Sequence, residues 1–153
     1  MTLRVNGEAY EVSVAPWRTL LEVLREELAL RGAKYACDGI GECGACTVLL
    51  DGRPVNSCLM LAVDAREREI VTIEGLVEKD GLHPLQEAFV RLGAIQCGYC
   101  TPGLILATKA LLDRNPSPSR GEIEQAISGN LCRCMGYTQI VDAVLAAKST
   151  ERR

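Results

Sequence analysis

The sequence lacks the features that mark several common classes of protein. It has no basic surplus, because 17 lysines and arginines stand against 20 aspartates and glutamates, for a formal net charge of -3. A nucleic-acid-binding domain normally carries clustered positive charge. No apolar run approaches the roughly 20 residues that a membrane-spanning helix needs. We therefore expect neither a nucleic acid nor a membrane as a partner.

The start of the chain also lacks a targeting signal. Its first residues, MTLRVN, contain neither the apolar core of a signal peptide nor a twin-arginine pair. This predicts a cytoplasmic protein. Because thiols stay reduced in that compartment, the 8 cysteines indicate metal binding or redox chemistry rather than disulfide bonds.

The cysteines fall into two sets of four, one in each half of the chain. Five, two and eleven residues separate the members of the first set, Cys37, Cys43, Cys46 and Cys58. Two, thirty-one and one residues separate the members of the second set, Cys97, Cys100, Cys132 and Cys134. Four thiolates are the ligand set of a 2Fe-2S cluster, and neither spacing is that of bacterial 4Fe-4S ferredoxins. A Rieske cluster is excluded because His83 is the single histidine. The sequence therefore predicts two all-cysteine 2Fe-2S sites.

The residues beside the cysteines suit a negatively charged group. The first set is interleaved with three glycines, Gly39, Gly41 and Gly44. A loop of this kind turns its N–H groups toward an anion, although the same glycines also suit an ordinary surface turn. Cys97 and Cys100 precede a predicted helix, whose N-terminus favours thiolate over thiol. Arg133 either adds positive charge to the second set or is simply solvated.

The first half of the chain has the pattern of a small α+β domain. Alternating apolar residues on either side of Asn6-Gly7 predict a hairpin with a type I′ turn. Thr19 and Glu22 form a capping box for a helix over 20–28. Further predicted elements are a strand at 47–50, an Asp51-Gly52 turn and a strand at 70–73.

The second half is predicted to be all helical, since no alternating pattern appears after Gly75. The predicted helices cover 84–92, 102–113, 119–128 and 138–147. Thr101 is the expected N-cap of the second helix, and Ser119 with Glu122 forms a capping box for the third. These boundaries divide the chain into an α+β domain at 1–75, a linker at 76–83 and a helical domain at 84–153.

Seven segments make the chain recognisable over nearly its full length. They are GAKYAC at 32–37, GECGACTV at 41–48, SCL at 57–59, TIEGL at 72–76, HPLQ at 83–86, QCGYCTPG at 96–103 and GNLCRCMGY at 129–137. Together they resemble the small iron-sulfur subunit of the molybdenum hydroxylase family, whose members include xanthine oxidase, aldehyde oxidoreductase and carbon monoxide dehydrogenase.

The resemblance implies a fold and a set of partners. The fold would be a plant-ferredoxin-like β-grasp domain followed by an all-α four-helix domain, with one 2Fe-2S cluster in each. A large partner subunit would hold a molybdenum-pterin cofactor and oxidise the substrate, and a medium subunit would hold FAD, in a dimer of heterotrimers. This chain would relay single electrons through the helical-domain cluster and then the ferredoxin-like cluster to FAD, and would not be catalytic alone.

The resemblance also assigns roles beyond ligation. Gln96 and Cys134 stand where family members place a glutamine that hydrogen-bonds the pterin and a cysteine sulfur that approaches its amino group. From the residues alone, Gln96 is equally a satisfied polar residue beside the cluster. The direction of electron flow stays open, because a few family members reduce their substrates.

The chain departs from the family pattern in the first cysteine set. Five residues separate Cys37 from Cys43, where the family and plant-type ferredoxins commonly have four, and Ala36 stands where glycine is usual. Cys37 is still the expected ligand, because no other cysteine is available, and the loop is expected to bulge.

Two other uses of the cysteines compete with iron-sulfur binding. One is a zinc scaffold, since four thiolates also suit tetrahedral zinc. The other is dithiol exchange at Cys97 and Cys100, because a Cys-x-x-Cys pair at a helix start is the thioredoxin arrangement. The second use leaves six cysteines unexplained, and no strand-helix-strand pattern precedes the pair.

Overall fold

A computed structural model describes residues 1–77 and 81–147 of the chain. Residues 78–80 of the predicted linker and residues 148–153 of the predicted helical domain lie outside the described residues. Within the described ranges, no helix is both long and apolar enough to cross a bilayer.

The first half is built on a mixed sheet. Its five strands are β1 (Thr2–Val5), β2 (Glu8–Glu11), β3 (Thr47–Leu50), β4 (Arg53–Asn56) and β5 (Glu69–Val71), and their order in the sheet is β2-β1-β5-β3-β4. β1 pairs antiparallel with β2 and parallel with β5, whereas β3 pairs antiparallel with both β4 and β5. Both edges of the sheet are therefore antiparallel hairpins, with a single parallel pair at its centre.

The two predicted tight turns are confirmed. Asn6 and Gly7 both have positive φ, 55° and 80°, as do Asp51 and Gly52, 49° and 75°. Positive φ at both central residues is the requirement of a type I′ turn.

The strand predictions were wrong in two places. Strand β4 was not predicted, and it contains Pro54, which is tolerated there because β4 is an edge strand. β5 ends at Val71 rather than at residue 73, and a 3-10 turn, Ile73–Leu76, follows it.

The predicted helix of the first half begins as expected but changes form. The Thr19–Glu22 capping box is present, and α1 (Leu20–Glu22) continues as a π-helical turn, Val23–Glu27. The Leu28 N–H bonds the Val23 carbonyl, five residues back, at 3.2 Å, which is the π-helical spacing.

The second half contains the four predicted helices. They are α2 (Pro84–Arg91), α3 (Thr101–Arg114), α4 (Arg120–Ala126) and α5 (Tyr137–Ala147). The Ser119–Glu122 capping box before α4 is confirmed, although that helix ends at Ala126 rather than residue 128. The predicted N-cap of α3 was wrong: Cys100 is the cap residue, and Thr101 already lies inside the helix.

Strand β3 belongs to two hydrophobic cores. Val48 and Leu50 are buried in the first core with α1, and Leu49 is buried in the second core with α2, α3 and α5. Successive side chains of a strand point to opposite faces, so one strand packs against both halves. This contact fixes where the two cysteine sets lie relative to each other.

Candidate metal centres

The first cysteine set comes together at one end of the sheet. Cys46 immediately precedes β3 and Cys58 follows β4 by two residues, so the β3–β4 hairpin brings them side by side. Their thiols are neighbours, and the Cys37 thiol is a neighbour of that of Cys43. Cys58 also interacts electrostatically with Cys37 and Cys43. The four predicted residues therefore form two thiol pairs that lie near each other.

Main-chain N–H groups converge on Cys37. The largest influence on this thiol is the N–H of Cys43, followed by the Cys43 thiol, and the N–H groups of Glu42 and Gly41 add to it. Together they outweigh the effect of burial and lower the pKa of Cys37 from 9.0 to about 7. This is the amide cradle predicted from the glycine-rich loop, because such donors stabilise negative charge on sulfur.

The additional residue between Cys37 and Cys43 is taken up in a tight turn. Asp38 and Gly39 have φ of 49° and 81°, and the Ile40 N–H bonds the Cys37 carbonyl at 3.0 Å. The expected bulge is therefore a turn closed on the ligand residue itself. It leaves the Ile40 side chain 67% exposed.

The second cysteine set is assembled from two interhelical loops. Cys97 and Cys100 lie between α2 and α3, and Cys132 and Cys134 lie between α4 and α5. The Cys97 thiol is a neighbour of the Cys134 thiol, and the Cys100 thiol is a neighbour of the Cys132 thiol. The structure thus pairs each member of the Cys-x-x-Cys motif with a cysteine of the other loop.

The thiols of this set differ in pKa, and burial is one cause of the difference. Burial is the largest influence on Cys100 and, with the Cys132 thiol, raises its pKa to about 12. In the metal-free chain burial therefore outweighs the helix N-terminus at Cys100, whereas the pKa of Cys97 is lowered, chiefly by the N–H of Tyr99. Burial also acts on Cys132, but the N–H of Gly136, the Cys100 thiol and two further amides outweigh it and lower the pKa.

The residues present fit a 2Fe-2S cluster at each site. Such a cluster takes two thiolates at each of its two irons, which is the pairing seen in both sets. A cleft of about 500 Å³ lies against the second set and is bordered by Cys97, Cys100 and Cys132. In the described part of the chain, no three His, Cys, Asp or Glu side chains converge so as to hold one metal ion.

A short main-chain link joins the two sites. The Leu131 N–H, next to Cys132, donates to the carbonyl of Cys43 at 2.9 Å. The buried Asn130 side chain donates to the Gly44 carbonyl at 2.9 Å and to Thr47 Oγ1 at 3.1 Å. A ligand loop of one site is thus hydrogen-bonded directly to a ligand loop of the other.

Glycine at position 44 permits this approach. Gly44 has φ of 66°, and a Cβ there would lie 2.4 Å from the Gly129 carbonyl oxygen. A Cβ on Gly103, in α3, would lie 2.4 Å from the Gly44 carbonyl. The two backbones meet too closely for any side chain.

Comparisons with known proteins agree with this geometry. Residues 3–72 match the family model of a 2Fe-2S iron-sulfur cluster binding domain, and residues 72–145 match that of a [2Fe-2S] binding domain. The nicotinate dehydrogenase small FeS subunit of Eubacterium barkeri is 51% identical over 144 residues, covering 94% of this chain and 91% of that protein. This chain belongs to the small iron-sulfur subunits of the molybdenum hydroxylase family.

Solved structures of the family share the fold. The crystal structure of quinoline 2-oxidoreductase from Pseudomonas putida has a TM-score of 0.95 and 43% identity, covering 100% of this chain and 95% of that chain. The aldehyde oxidoreductase of Desulfovibrio desulfuricans has a TM-score of 0.94 and 46% identity, covering 99% of this chain and 17% of that chain. The predicted ferredoxin-like domain followed by a helical 2Fe-2S domain is confirmed. The chain is the non-catalytic iron-sulfur subunit of an oxidoreductase with larger partner subunits, and its role is electron transfer.

Gln96 and Cys134 lie together at the surface of this iron-sulfur subunit. The Gln96 amide nitrogen donates to the Cys134 carbonyl at 3.3 Å, and the Gln96 side chain is exposed. Leu131 and Met135 nearby are 56% and 75% exposed.

Sequence reasoning missed the residues that join the two sites. Asn130 lies just after the predicted helix at 119–128, in the GNLCRCMGY segment that carries the family resemblance, but its side chain was assigned no contact. The burial of the Asn130 side-chain amide indicates this role, because buried polar side chains require hydrogen-bond partners. The Leu131 link is made by a main-chain N–H, which any non-proline residue carries, so no sequence pattern marks it.

Proposed function

We propose that this subunit relays single electrons, through two 2Fe-2S clusters, between a molybdenum-pterin subunit and an FAD subunit. The observation that carries the proposal is the pair of four-cysteine sites joined through the Leu131–Cys43 hydrogen bond of 2.9 Å. Electron tunnelling weakens less along covalent and hydrogen-bonded paths than across gaps, so this bond offers a short route between the sites.

Each domain holds its own cluster under this proposal. In the domain at 1–75 one iron takes Cys37 and Cys43, and the other takes Cys46 and Cys58. In the domain at 84–153 one iron takes Cys97 and Cys134, and the other takes Cys100 and Cys132. These assignments follow the thiol pairs. When bound, each cluster accepts and releases one electron at a time.

The chain's own residues stabilise the added charge. The N–H groups of Gly41, Glu42 and Cys43 face the Cys37 sulfur. Those of Gly136, Cys134 and Met135 face the Cys132 sulfur. Hydrogen bonds to ligand sulfurs favour the more negative state of a cluster. Both sites therefore hold donors before an electron arrives.

Electrons enter or leave the helical domain at the face that carries Gln96 and Cys134. There the Gln96 side chain hydrogen-bonds the pterin of the molybdenum subunit, and the Cys134 sulfur approaches the pterin amino group. The exposed Leu131 and Met135 side chains form part of the covered contact. The site at the β3–β4 end then faces the FAD subunit.

The partner subunits are separate polypeptides in this proposal. The aldehyde oxidoreductase of Desulfovibrio desulfuricans matches this chain over only 17% of its own length, which supports larger redox partners for the same fold. We place the complex as a dimer of heterotrimers in the cytoplasm.

Metal analysis with electron paramagnetic resonance (EPR) spectroscopy tests the proposal. The purified subunit is expected to contain about four irons and four sulfides per chain and, once reduced, to give two distinct signals. The subunit alone is expected to turn over no substrate. Zinc in place of iron, a single signal, or turnover without partners would each refute the proposal.

A further inference from the structure

Lys34 belongs to the ferredoxin-like half but its ammonium group faces the helical half. Its Nζ lies 5.8 Å from the centre of the Tyr99 ring and donates to the Gly32 carbonyl at 2.9 Å. The side chain is half-buried. Its electrostatic interactions include one with Cys100. A cation from one domain thus lies beside the metal site of the other.

We propose that Lys34 raises the reduction potential of the helical-domain cluster selectively, and so helps to set the energy step between the two clusters. The inference rests on the proposed function, because it needs clusters at both sites. Reduction adds one electron to the cluster, taken from a partner's redox group, with no bond made and no proton taken up. The added negative charge interacts favourably with a nearby cation.

The position of the Lys34 ammonium group favours an effect on the helical-domain cluster over an effect on the other cluster. Lys34 is three residues before Cys37 in the sequence, yet the thiol among its electrostatic neighbours is Cys100. Tyr99, whose ring lies beneath the ammonium group, also donates through its hydroxyl to the Tyr35 carbonyl. The Lys34 N–H bonds the Ala45 carbonyl at 3.0 Å. These contacts hold the cation at the junction between the domains, where its burial limits screening by salt.

Two other charges face Lys34 and act in opposite directions. Glu74 attracts the ammonium group and Arg25 repels it. A Glu74 oxygen accepts from the Gly32 N–H at 2.7 Å, so it lies beside the same loop. The field at the cluster is therefore the sum of these charges, and removing the Glu74 charge is expected to act opposite to removing the Lys34 charge.

The test is a redox titration of the iron-loaded full chain, followed by EPR spectroscopy. The variants are Lys34→Met, which removes the charge, Lys34→Arg, which keeps it, and Glu74→Gln, which keeps an acceptor for Gly32. Lys109→Met is the matched control, because Lys109 lies nine residues past Cys100 on α3, about 13 Å along the helix axis. That separation exceeds the screening length of about 8 Å at physiological salt.

We expect the reduction potential of the helical-domain cluster to shift most, and to shift in opposite directions in the Lys34 and Glu74 variants. Lys34→Met should lower the equilibrium constant for reducing the helical-domain cluster at least threefold, about 28 mV for a one-electron couple. The other cluster should move less, Lys34→Arg should restore the wild-type value, and Glu74→Gln should raise it. That cluster is identified as the signal that Cys100→Ser removes.

Three results would overturn the inference. They are equal shifts of both clusters, a shift of the same size in Lys109→Met, and a shift of the same sign in Lys34→Met and Glu74→Gln. Iron content separates these failures from failure of the proposed function, since four irons with unshifted potentials reject only the role of Lys34. If Lys34→Met fails to retain iron, the sign of the Glu74→Gln shift decides.

Discussion

The main-chain N–H of Leu131 donates a hydrogen bond of 2.9 Å to the carbonyl oxygen of Cys43. Cys43 is a proposed ligand of one cluster, and Leu131 is covalently joined to Cys132, a proposed ligand of the other. The bond uses main-chain atoms on both sides, so most substitutions at either position preserve it.

Proline at position 131 removes this donor. We expect Leu131→Pro to slow electron exchange between the clusters while leaving the midpoint potential of each near its wild-type value. Leu131→Ala is the control, because it keeps the N–H and truncates a side chain that is 56% exposed. Rapid-freeze EPR spectroscopy after partial reduction measures the exchange. Equal rates in the two variants would argue that electrons pass by another route.

Substitution of single cysteines tests the separate assignment of the two sites. Cys46→Ser is expected to remove one EPR signal and Cys100→Ser the other, because the two residues lie in different thiol sets. Each variant should retain about two irons of four, since a cluster needs four protein ligands. Loss of both signals from either change would indicate a single shared site.

Gly44 and Gly52 provide a matched pair of substitutions. Both have positive φ, 66° and 75°, but a Cβ at Gly44 would lie 2.4 Å from the Gly129 carbonyl, whereas nothing lies within 4 Å at Gly52. Gly52→Ala should cost only the left-handed strain of about 1–2 kcal/mol. Gly44→Ala should cost about 1–3 kcal/mol more from overpacking and should disturb both clusters. Denaturant unfolding and iron content measure the difference, and equal effects would contradict the close approach seen here.

The buried Asn130 amide is expected to stabilise the contact between the halves. Asn130→Ala removes its hydrogen bonds to the Gly44 carbonyl and Thr47 Oγ1. The expected loss in the free energy of unfolding is about 1–3 kcal/mol. The exposed Gln125→Ala on α4 serves as control and should change stability by less than about 0.5 kcal/mol. A loss no larger than in the control would contradict this role.

The amide cradle around Cys37 predicts a pH dependence of thiol reactivity in the metal-free, reduced chain. The thiolate is the reactive form, and the pKa of Cys37 is about 7 against an ordinary 9.0. Alkylation of Cys37 should therefore rise with pH through about 7 and level off about one pH unit above that value. Cys58, whose burial raises its pKa to about 12, should stay unreactive over the same range. Peptide mass spectrometry measures both, because it separates the Cys37 peptide from that of the exposed Cys97, whose pKa is also lowered, chiefly by the N–H of Tyr99.

The sequence predicted those parts of the fold that depend on local chemistry. Asn6-Gly7 and the Thr19 capping box act within a few residues, and both were confirmed. β4 was not predicted, and it contains Pro54, which a strand tolerates only at a sheet edge; whether a strand lies at an edge is a property of the whole sheet. The raised pKa of Cys100 was missed for the same kind of reason, since burial depends on the packing of distant segments.

For the metal sites, too, the features set by local sequence could be predicted and those set by distant contacts could not. The two sets of four cysteines could be grouped from spacing, because each set falls within one half of the chain. The link between the halves could not be predicted, since the Asn130 contacts join residues 83 and 86 positions apart. The roles of Gln96 and Cys134 toward the pterin stay predictions.

The position of β3 limits how such electron carriers can be re-engineered. Leu49 packs with the helices while Val48 and Leu50 pack beneath the sheet. Grafting either half onto an unrelated protein would leave one side of this strand facing water. The two iron-sulfur domains are therefore unsuited to separate grafting, and an engineered protein should include both domains together.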